Sequence, residues 1–381
     1  MTGHIRQRSP CSWEVKYDLG RDPLTGKRKT RFVTVRGGKK AAQQELRRLL
    51  NAVDEGRDVE PSKVTIAEYI RGWLDAATNL SPKTKERYRQ LAERQIFPHL
   101  GAIPLQKLRP AQIHEWHSLV LKSGGARGGP LSARTVGHAH RVLHRALERA
   151  LSLEELGRNV SSAVSPPKVA AAEIAILSAE QIAHVLARLD GHPLHPIVAL
   201  ALGSGLRRGE LCGLAWGAVD LDGATVRVER SLEETKQGLR LKEPKTRYGH
   251  RSVSLPNNVV DILRVHRRKK SEQRILLGQG RLDDDDLVFA RPIGGPYPPD
   301  TLSRDWWRAT GTLGLPRVSF HSLRHSHASA LIAAGLDVVT VSRRLGHGSP
   351  PITLSVYAHA FNKTDKQAAE AMEKAMSFGT K

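Results

Sequence analysis

The sequence predicts a mixed, mainly α-helical protein in three parts: a small β-hairpin/α unit, an all-helical unit, and an α+β unit with a small antiparallel sheet. Three observations carry this reading. Near the start, SWEVKYDLG and TRFVTV alternate with the two-residue period of strands, on either side of the turn-forming RDPLTGKRK. From Val64 to about Pro167 the chain reads as helix throughout. From about residue 174, the short alternating segments ATVRVER, LRLKEP and HRSVSLP interrupt a helical pattern. The boundaries follow as 1–55, 62–168 and 174–381.

In the first unit, Trp13, Val15 and Tyr17 fall on one side of a strand, and Phe32, Val33 and Val35 belong to the returning strand. Lys39 to Asn51 reads as a helix, and the polar, acidic 52–63 as a linker. About four helices follow. TIAEYIRGWLDAA opens after Thr65. SPKTKERYRQLAERQIFPHLG has Ser81 as its N-cap and Pro82 at the first helical position. RPAQIHEWHSLVLK and SARTVGHAHRVLHRALERAL complete the set, with SGGARGGP as the loop between them. SPPKV at 165–169 reads as a second linker. In the third unit ILSAEQIAHVLARL is a helix capped by Ser178, and HPIVALALGSGLRRGELCGLAW is an apolar helix, a glycine break and another helix. TDKQAAEAMEKAM closes the chain as a helix.

Composition narrows the partner. The 381 residues carry a formal net charge of +22, and the pI is about 10.4, which points to a polyanion, most often nucleic acid. Residues 1–51 hold 13 Lys and Arg against 4 Asp and Glu, a net of +9, and this too favours nucleic-acid contact over a merely solvated face. No apolar run approaches the ~20 residues of a spanning helix. The first residues are basic without an apolar stretch, so neither membrane nor secretion is expected. Cys11 and Cys212 make no disulfide framework or zinc cluster. A reducing cytoplasm is the expected home.

Five stations in the third unit share one chemical character. GSGLRRGEL holds Arg207 and Arg208, EPKTRYGHRSVSLP holds Lys245 in a turn between strands, and HSLRH holds His321 and Arg324. RRLGHGSPP holds His347, and ITLSVYAH holds Tyr357. On a helix His321 and Arg324 share a face, while Leu323, Ala328, Leu331 and Ile332 form a separate apolar stripe. Singly, each is most simply a solvated or packing residue. Together they can carry out phosphoryl transfer without metal. Arginines clamp phosphate oxygens, a tyrosine hydroxyl attacks, a lysine protonates the leaving oxygen, and histidines supply hydrogen bonds and proton relay.

In that order, these residues make the chain resemble the tyrosine recombinases, in the branch of phage and mobile-element integrases, over its whole length. The matching positions are Arg207, Lys245, His321, Arg324, His347 and Tyr357. The resemblance implies an N-terminal arm-type DNA-binding domain, a helical SAM-like core-binding domain and a catalytic domain of tyrosine-recombinase type. It implies a Tyr357 attack that leaves a 3′-phosphotyrosyl link and a free 5′-hydroxyl, with no cofactor and no metal. Arg207, Arg324, His321 and His347 would bind the phosphate, and Lys245 would be the general acid. The partner would be double-stranded DNA with core and arm-type attachment sites, in the bacterial nucleoid. The protein would be a homotetramer on DNA, passing through a Holliday junction, and a monomer or weak oligomer when free. A DNA-bending host factor and an excisionase are implied as accessories. The helix from Asp365 to Met376 would pack on a neighbouring protomer.

Around this set, Glu210 either orients Arg207 or is a surface acid, and His325 is expected to buttress its helix rather than touch phosphate. Lys27, Arg28, Lys29, Arg31, Lys83, Lys85 and Arg141 are the expected DNA contacts. Two features depart from the family pattern. Ser322 stands where an acidic residue is common, and the ten-residue step from His347 to Tyr357 is one longer than usual. His140 and His144 have an i, i+4 spacing that zinc sites use, but without a third ligand they read as solvated or DNA-facing. Asp283 to Asp286 reads as a loop cap before a strand LVFA, and Trp306-Trp307 as core plus edge. Two rivals to the recombinase remain: a type IB topoisomerase, and a catalytically silent DNA-binding or architectural protein of the same fold.

Overall fold

A computed structural model of the protein describes residues 2–21, 25–54, 59–170, 174–244, 247–291 and 294–357, with a few single positions beyond. Lys245 and the expected C-terminal helix at 365–376 lie outside these described stretches. The chain divides into two compact units, Met1–Ala171 and Ala172–Lys381.

The first unit holds two separate cores. In one, strands β1 (Gly3–Ser9), β2 (Ser12–Arg21) and β3 (Arg28–Arg36) form an antiparallel sheet in that order, and α1 (Lys39–Asp54) packs on it. Val15 pairs with Ile5 on one side and Val33 on the other, and Val15 and Tyr17 are buried with Ala42 and Leu49. The expected hairpin is therefore a three-stranded sheet. Strand β1, GHIRQRS, was not legible because it is an edge strand with one apolar residue facing the helix. Helix α1 also runs three residues into the expected linker.

The other core is the helical bundle of α2 (Ile66–Ala76), α3 (Pro82–Leu91), α4 (Phe97–Leu100), α5 (Pro110–Ser123) and α6 (Ala133–Ser152). Thr65 and Glu68 cap α2 reciprocally, the Thr65 hydroxyl accepting from the Glu68 amide and the Glu68 carboxylate accepting from the Thr65 amide. Ser81 caps α3, with Pro82 at its first turn. A wide π turn at Ala92–Ile96 carries the helix from α3 into α4. His140 corrects the sequence reading. It is neither solvated nor DNA-facing but buried at 5% exposure, with Nδ1 3.1 Å from Nε2 of the buried His117.

The second unit begins with α7 (Ala179–Arg188), α8 (His195–Ser204) and α9 (Arg208–Cys212). Helix α8 is apolar on all sides and runs through the core, as such a sequence requires. Five short strands follow: β4 (Val219–Asp220), β5 (Thr225–Val228), β6 (Ser231–Thr235), β7 (Gly238–Lys242) and β8 (Arg251–Ser254). They form two antiparallel sheets, β4-β5-β8 and β6-β7. The strands on either side of Lys245, β7 and β8, therefore lie in different sheets rather than forming one hairpin. Helices α10 (Asn257–Leu276), α11 (Pro299–Thr312), α12 (Phe320–Ala333), α13 (Val338–Leu345) and α14 (Pro350–Tyr357) complete the unit.

LVFA is not a strand. Leu287 makes a single bridge with Ala215, while the Asp286 carboxylate accepts from the Asp283 amide and from Arg274, closing a turn rather than holding a cation. Trp306 is fully buried and Trp307 half-exposed under the Arg317 guanidinium, as expected. Among the described residues, no helix is long and apolar enough to cross a membrane, and no cluster of three or more His, Cys, Asp or Glu can hold a metal ion.

Candidate active site

Two glycines set the frame of the site. Gly205 ends α8 and Gly346 ends α13, each in the left-handed region, with φ of +68° and +66°. The turn at Gly205 places Arg207 at the start of α9, where the Glu210 carboxylate accepts from its backbone amide at 2.8 Å. The same carboxylate accepts from Arg207 Nη1 at 2.8 Å, so Glu210 orients the guanidinium. It is not a surface acid, being only 4% exposed. Arg207 Nη2 donates to the Gly346 carbonyl at 2.9 Å, which joins the α9 start to the loop carrying His347.

Arg324 projects from α12, which Ser319 caps by accepting from the Ser322 amide. Its guanidinium is buried and donates to the carbonyls of Gly205 at 2.7 Å and Leu345 at 2.6 Å. Burial and the neighbouring Arg207 charge push its pKa down to about 9, against the pull of Glu210. A cationic group at that cost needs an anion opposite it. Arg208 is bonded instead to Asp300 and the Ser303 hydroxyl, though its charge still reaches His321.

Sequence reasoning missed Arg251. At the start of β8 it donates to both Glu210 oxygens, at 3.2 and 2.8 Å, and to the carbonyls of Arg344 and Gly249. Burial alone would raise the Glu210 carboxyl. The hydrogen bonds and charges of Arg251 and Arg207 outweigh it and bring the pKa down to about 2. Nothing in the sequence pairs Arg251 with Glu210, 41 positions away. Arg344 was missed as well. It donates to His327 Nε2 at 3.0 Å and to the carbonyls of Gly203 and Ser254. His327 donates through Nδ1 to the Leu202 carbonyl and accepts from Arg344 through Nε2, which together require the neutral Nδ1–H tautomer.

His347 is half-buried, with Nδ1 2.7 Å from the hydroxyl of the buried Thr353 on α14. Burial and the charges of Arg324, Arg207 and Arg251 lower its pKa to about 4. Pro350 and Pro351 open α14, so most of the segment from His347 to Tyr357 is helix rather than loop. Tyr357 ends that helix, 2% exposed, against Ala328, Ile332, Val341 and Leu345. Its hydroxyl lies 2.7 Å from Nδ1 of His325. His325 therefore contacts the hydroxyl expected to react, a contact beyond the expected buttressing of its own helix. His321 packs edge-on against the His325 ring, with centroids 4.9 Å apart.

The structure thus brings together Arg207, His321, Arg324, His347 and Tyr357, with Glu210 and His325 in direct support. Of the expected DNA contacts, Lys27, Lys29, Lys83 and Arg141 are exposed. Arg28 is paired with Asp18, Arg31 donates to the Val59 carbonyl, and Lys85 donates to the Asp75 carbonyl. All seven lie in the first unit.

Comparison with known proteins gives matches over most of the length. Residues 176–364 match the phage integrase family, and residues 65–119 match the phage integrase N-terminal SAM-like domain. A tyrosine recombinase XerC-like protein of Caldanaerobacter subterraneus is 26% identical, over 88% of this chain and 89% of its own. An integrase of Streptomyces ambofaciens is 26% identical, over 95% of this chain and 92% of its own. Among solved structures, the Tn1549 transposon integrase in complex with transposon right end DNA superposes with a TM-score of 0.67 at 21% identity, covering 81% of this chain and 99% of that one. A lambda integrase dimer bound to a core site superposes with a TM-score of 0.56 at 19% identity, covering 95% of this chain and 96% of that one. At those identities the solved structures establish the fold.

Proposed function

The chain belongs to the phage integrase family, and from that premise we propose that it is a site-specific DNA recombinase whose nucleophile is Tyr357. The observation that carries the assignment is the placing of the Tyr357 hydroxyl beside α12, which also bears the buried Arg324. The Tyr357 oxygen attacks a DNA phosphorus, the bond from phosphorus to the 5′ oxygen breaks, and a 3′-phosphotyrosyl link forms. The leaving 5′ oxygen takes a proton, and Lys245, outside the described residues, is the proposed donor. Arg207 and Arg324 stabilise charge on the non-bridging oxygens, with His321 and His347 as hydrogen-bond donors. A partner strand's 5′-hydroxyl then reverses the step. The phosphotyrosyl bond conserves the energy of the broken one, so no nucleotide cofactor is required.

The relatives include an integrase of Mycobacterium phage L5 and the ICEBs1 integrase of Bacillus subtilis, which supports integration or excision of a mobile element as the task. A lambda integrase tetramer bound to a Holliday junction is among the structures of like fold. By analogy four protomers of this chain would exchange strands in two pairs. We assign 1–55 to arm-type DNA sites, 62–168 to core-site binding and 174–381 to catalysis. Lys27, Arg28, Lys29, Arg31, Lys83, Lys85 and Arg141 are proposed as phosphate contacts, which makes affinity steeply salt-dependent. Work in the cytoplasm with a DNA-bending host factor and an excisionase belongs to the same proposal.

The test is covalent trapping. The protein is mixed with nicked duplex from its own genomic junction in EDTA, beside Tyr357→Phe, and resolved on a denaturing gel. A DNA-linked band with the native protein and none with the variant is expected. Tight binding without a band on any junction duplex would favour a silent architectural protein. Relaxation of supercoils without a preferred site would favour a topoisomerase.

A further inference from the structure

We propose that His325 is the proton acceptor for the Tyr357 hydroxyl during DNA cleavage, and the donor that returns the proton on rejoining. The inference rests on the assignment of Tyr357 as nucleophile. It begins with geometry. Tyr357 Oη and His325 Nδ1 are 2.7 Å apart on two helices of the same chain, and their ring centroids are 5.6 Å apart. The tyrosine is 2% exposed, so bulk water has little access to its hydroxyl in this pose. Among the described residues, no other hydrogen-bonding side chain is placed against that oxygen.

The electrostatic setting favours His325 in its neutral, accepting form. The charged and titratable groups around it are His321 and Arg324 on its own helix, Tyr357 on α14, and His347 in the loop between α13 and α14. Burial, then His321 and Arg324, lower its pKa to about 4. Burial raises the Tyr357 hydroxyl to about 12 despite the Arg324 charge. With these values the proton stays on the tyrosine in the resting protein, and the nucleophile is held inactive. A DNA phosphate brings negative charge against Arg324 and His347. That charge raises the basicity of the imidazole while the phenol oxygen begins to bond to phosphorus, so the two changes move the proton together.

The step balances. The bond between Tyr357 oxygen and phosphorus forms while the O–H bond breaks and His325 Nδ1 takes the proton. The bond between phosphorus and the 5′ oxygen breaks, and that oxygen takes a separate proton from the general acid. Rejoining reverses both transfers. His321, edge-on to the His325 ring, and Arg324 beside it are the groups that oppose a long-lived imidazolium and so favour return of the proton.

The discriminating variant is His325→Asn, whose amide oxygen can occupy the position of Nδ1 and accept the tyrosine hydrogen bond but cannot take the proton. Single-turnover cleavage of nicked junction duplex in EDTA is measured from pH 5 to 9, with DNA affinity and thermal melting as controls for folding. Native-like affinity and melting are expected, with cleavage slowed about 10²-fold or more and the acid limb of the pH profile flattened. A second substrate carries sulfur in place of the scissile 5′ oxygen, a leaving group that needs no protonation. It should restore Lys245→Ala but leave His325→Asn slow. Cleavage by His325→Asn within threefold of native with an unchanged pH profile would reduce His325 to a positioning residue and overturn the proposal. Rescue of His325→Asn by the sulfur substrate would place it on the leaving-group side and overturn it equally. A covalent band from Tyr357→Phe would instead show that the nucleophile itself was misassigned.

Discussion

The Gly346 carbonyl accepts Arg207 Nη2 at 2.9 Å, so the residue immediately before His347 holds one of the two arginines proposed to bind phosphate. The pattern is repeated at Gly205, whose carbonyl accepts Arg324 Nη1 at 2.7 Å. Both glycines are left-handed helix ends. The two guanidiniums proposed to bind phosphate are thus positioned by backbone that side-chain-bearing residues rarely adopt.

Gly346→Ala tests this arrangement. Its φ is +66°, and a Cβ there would lie 2.8 Å from the Tyr248 carbonyl oxygen and 2.9 Å from Arg251 Nη1. The backbone must shift, taking the Arg207 anchor with it. We expect cleavage to fall at least tenfold, stability to fall by about 1–3 kcal/mol, and affinity for junction duplex to change little. Trapping kinetics and anisotropy on one preparation check both.

Glu210→Gln should be damaging in a pH-dependent way. The carboxylate balances Arg207 and the buried Arg251, and removing its charge leaves a buried guanidinium uncompensated, a loss of about 3–5 kcal/mol. The folded-state pKa near 2 lies below the ordinary 4.5. The unfolded chain therefore binds the proton first as pH falls. The stabilisation from Glu210 is complete above about pH 4.5 and drains away down to about pH 2. Urea midpoints measured across that window should slope for the native protein and slope less for the variant. Equal slopes would show that Glu210 does not carry this acid sensitivity.

How much of this was legible in the sequence depends on how far apart the partners lie. The helices of the bundle announced themselves through local signals, such as Ser81 with Pro82 and the apolar spacing of Ile66, Ile70 and Leu74. The cluster of Arg207, His321, Arg324, His347 and Tyr357 was legible because each residue type has a role in phosphoryl transfer and the order matches a family. Arg251 and Thr353 were not, because a strand arginine bonding a carboxylate 41 positions away, or a threonine orienting His347, leaves no local pattern. Strand β1 was hidden for the opposite reason, since an edge strand has little need of apolar residues. His140 was misread because the i, i+4 spacing with His144 drew attention along α6, whereas its partner His117 is on α5.

That histidine pair predicts acid sensitivity in the first unit. Burial holds His140 down to about 4 and lowers His117 as well, so both are neutral when folded and share one hydrogen bond. In the unfolded chain both take protons near pH 6.5. Stability is then fully present above that value and falls as pH drops toward 4. The double variant His117→Leu/His140→Leu should melt near the native temperature at about pH 7.5 and lose less between about pH 6.5 and 4. Calorimetry across that range checks it, and a native melt unchanged down to about pH 4.5 would contradict it.

The placing of Tyr357 predicts which protomer's tyrosine cuts. Its hydroxyl is bonded to His325 of the same chain, and its ring is seated among Ala328, Ile332, Val341 and Leu345 of that chain. It lies only ten positions after His347, and 350 to 357 are wound as helix α14, leaving little chain for an excursion. Each active site should therefore use its own tyrosine. Two inactive chains make the test: Tyr357→Phe, which keeps the pocket, and Arg207→Ala, which keeps the nucleophile and removes a guanidinium that is 39% exposed and so of modest weight in folding. Mixed in equal amounts on one junction duplex, chains that cut in cis give no covalent band, because no protomer has both halves of the site. Chains that donate the tyrosine to a neighbour rebuild a working site wherever the two types sit side by side. We expect no band above that of either variant alone, and a clear covalent product from the mixture would mean that α14 leaves the pocket seen here before cutting.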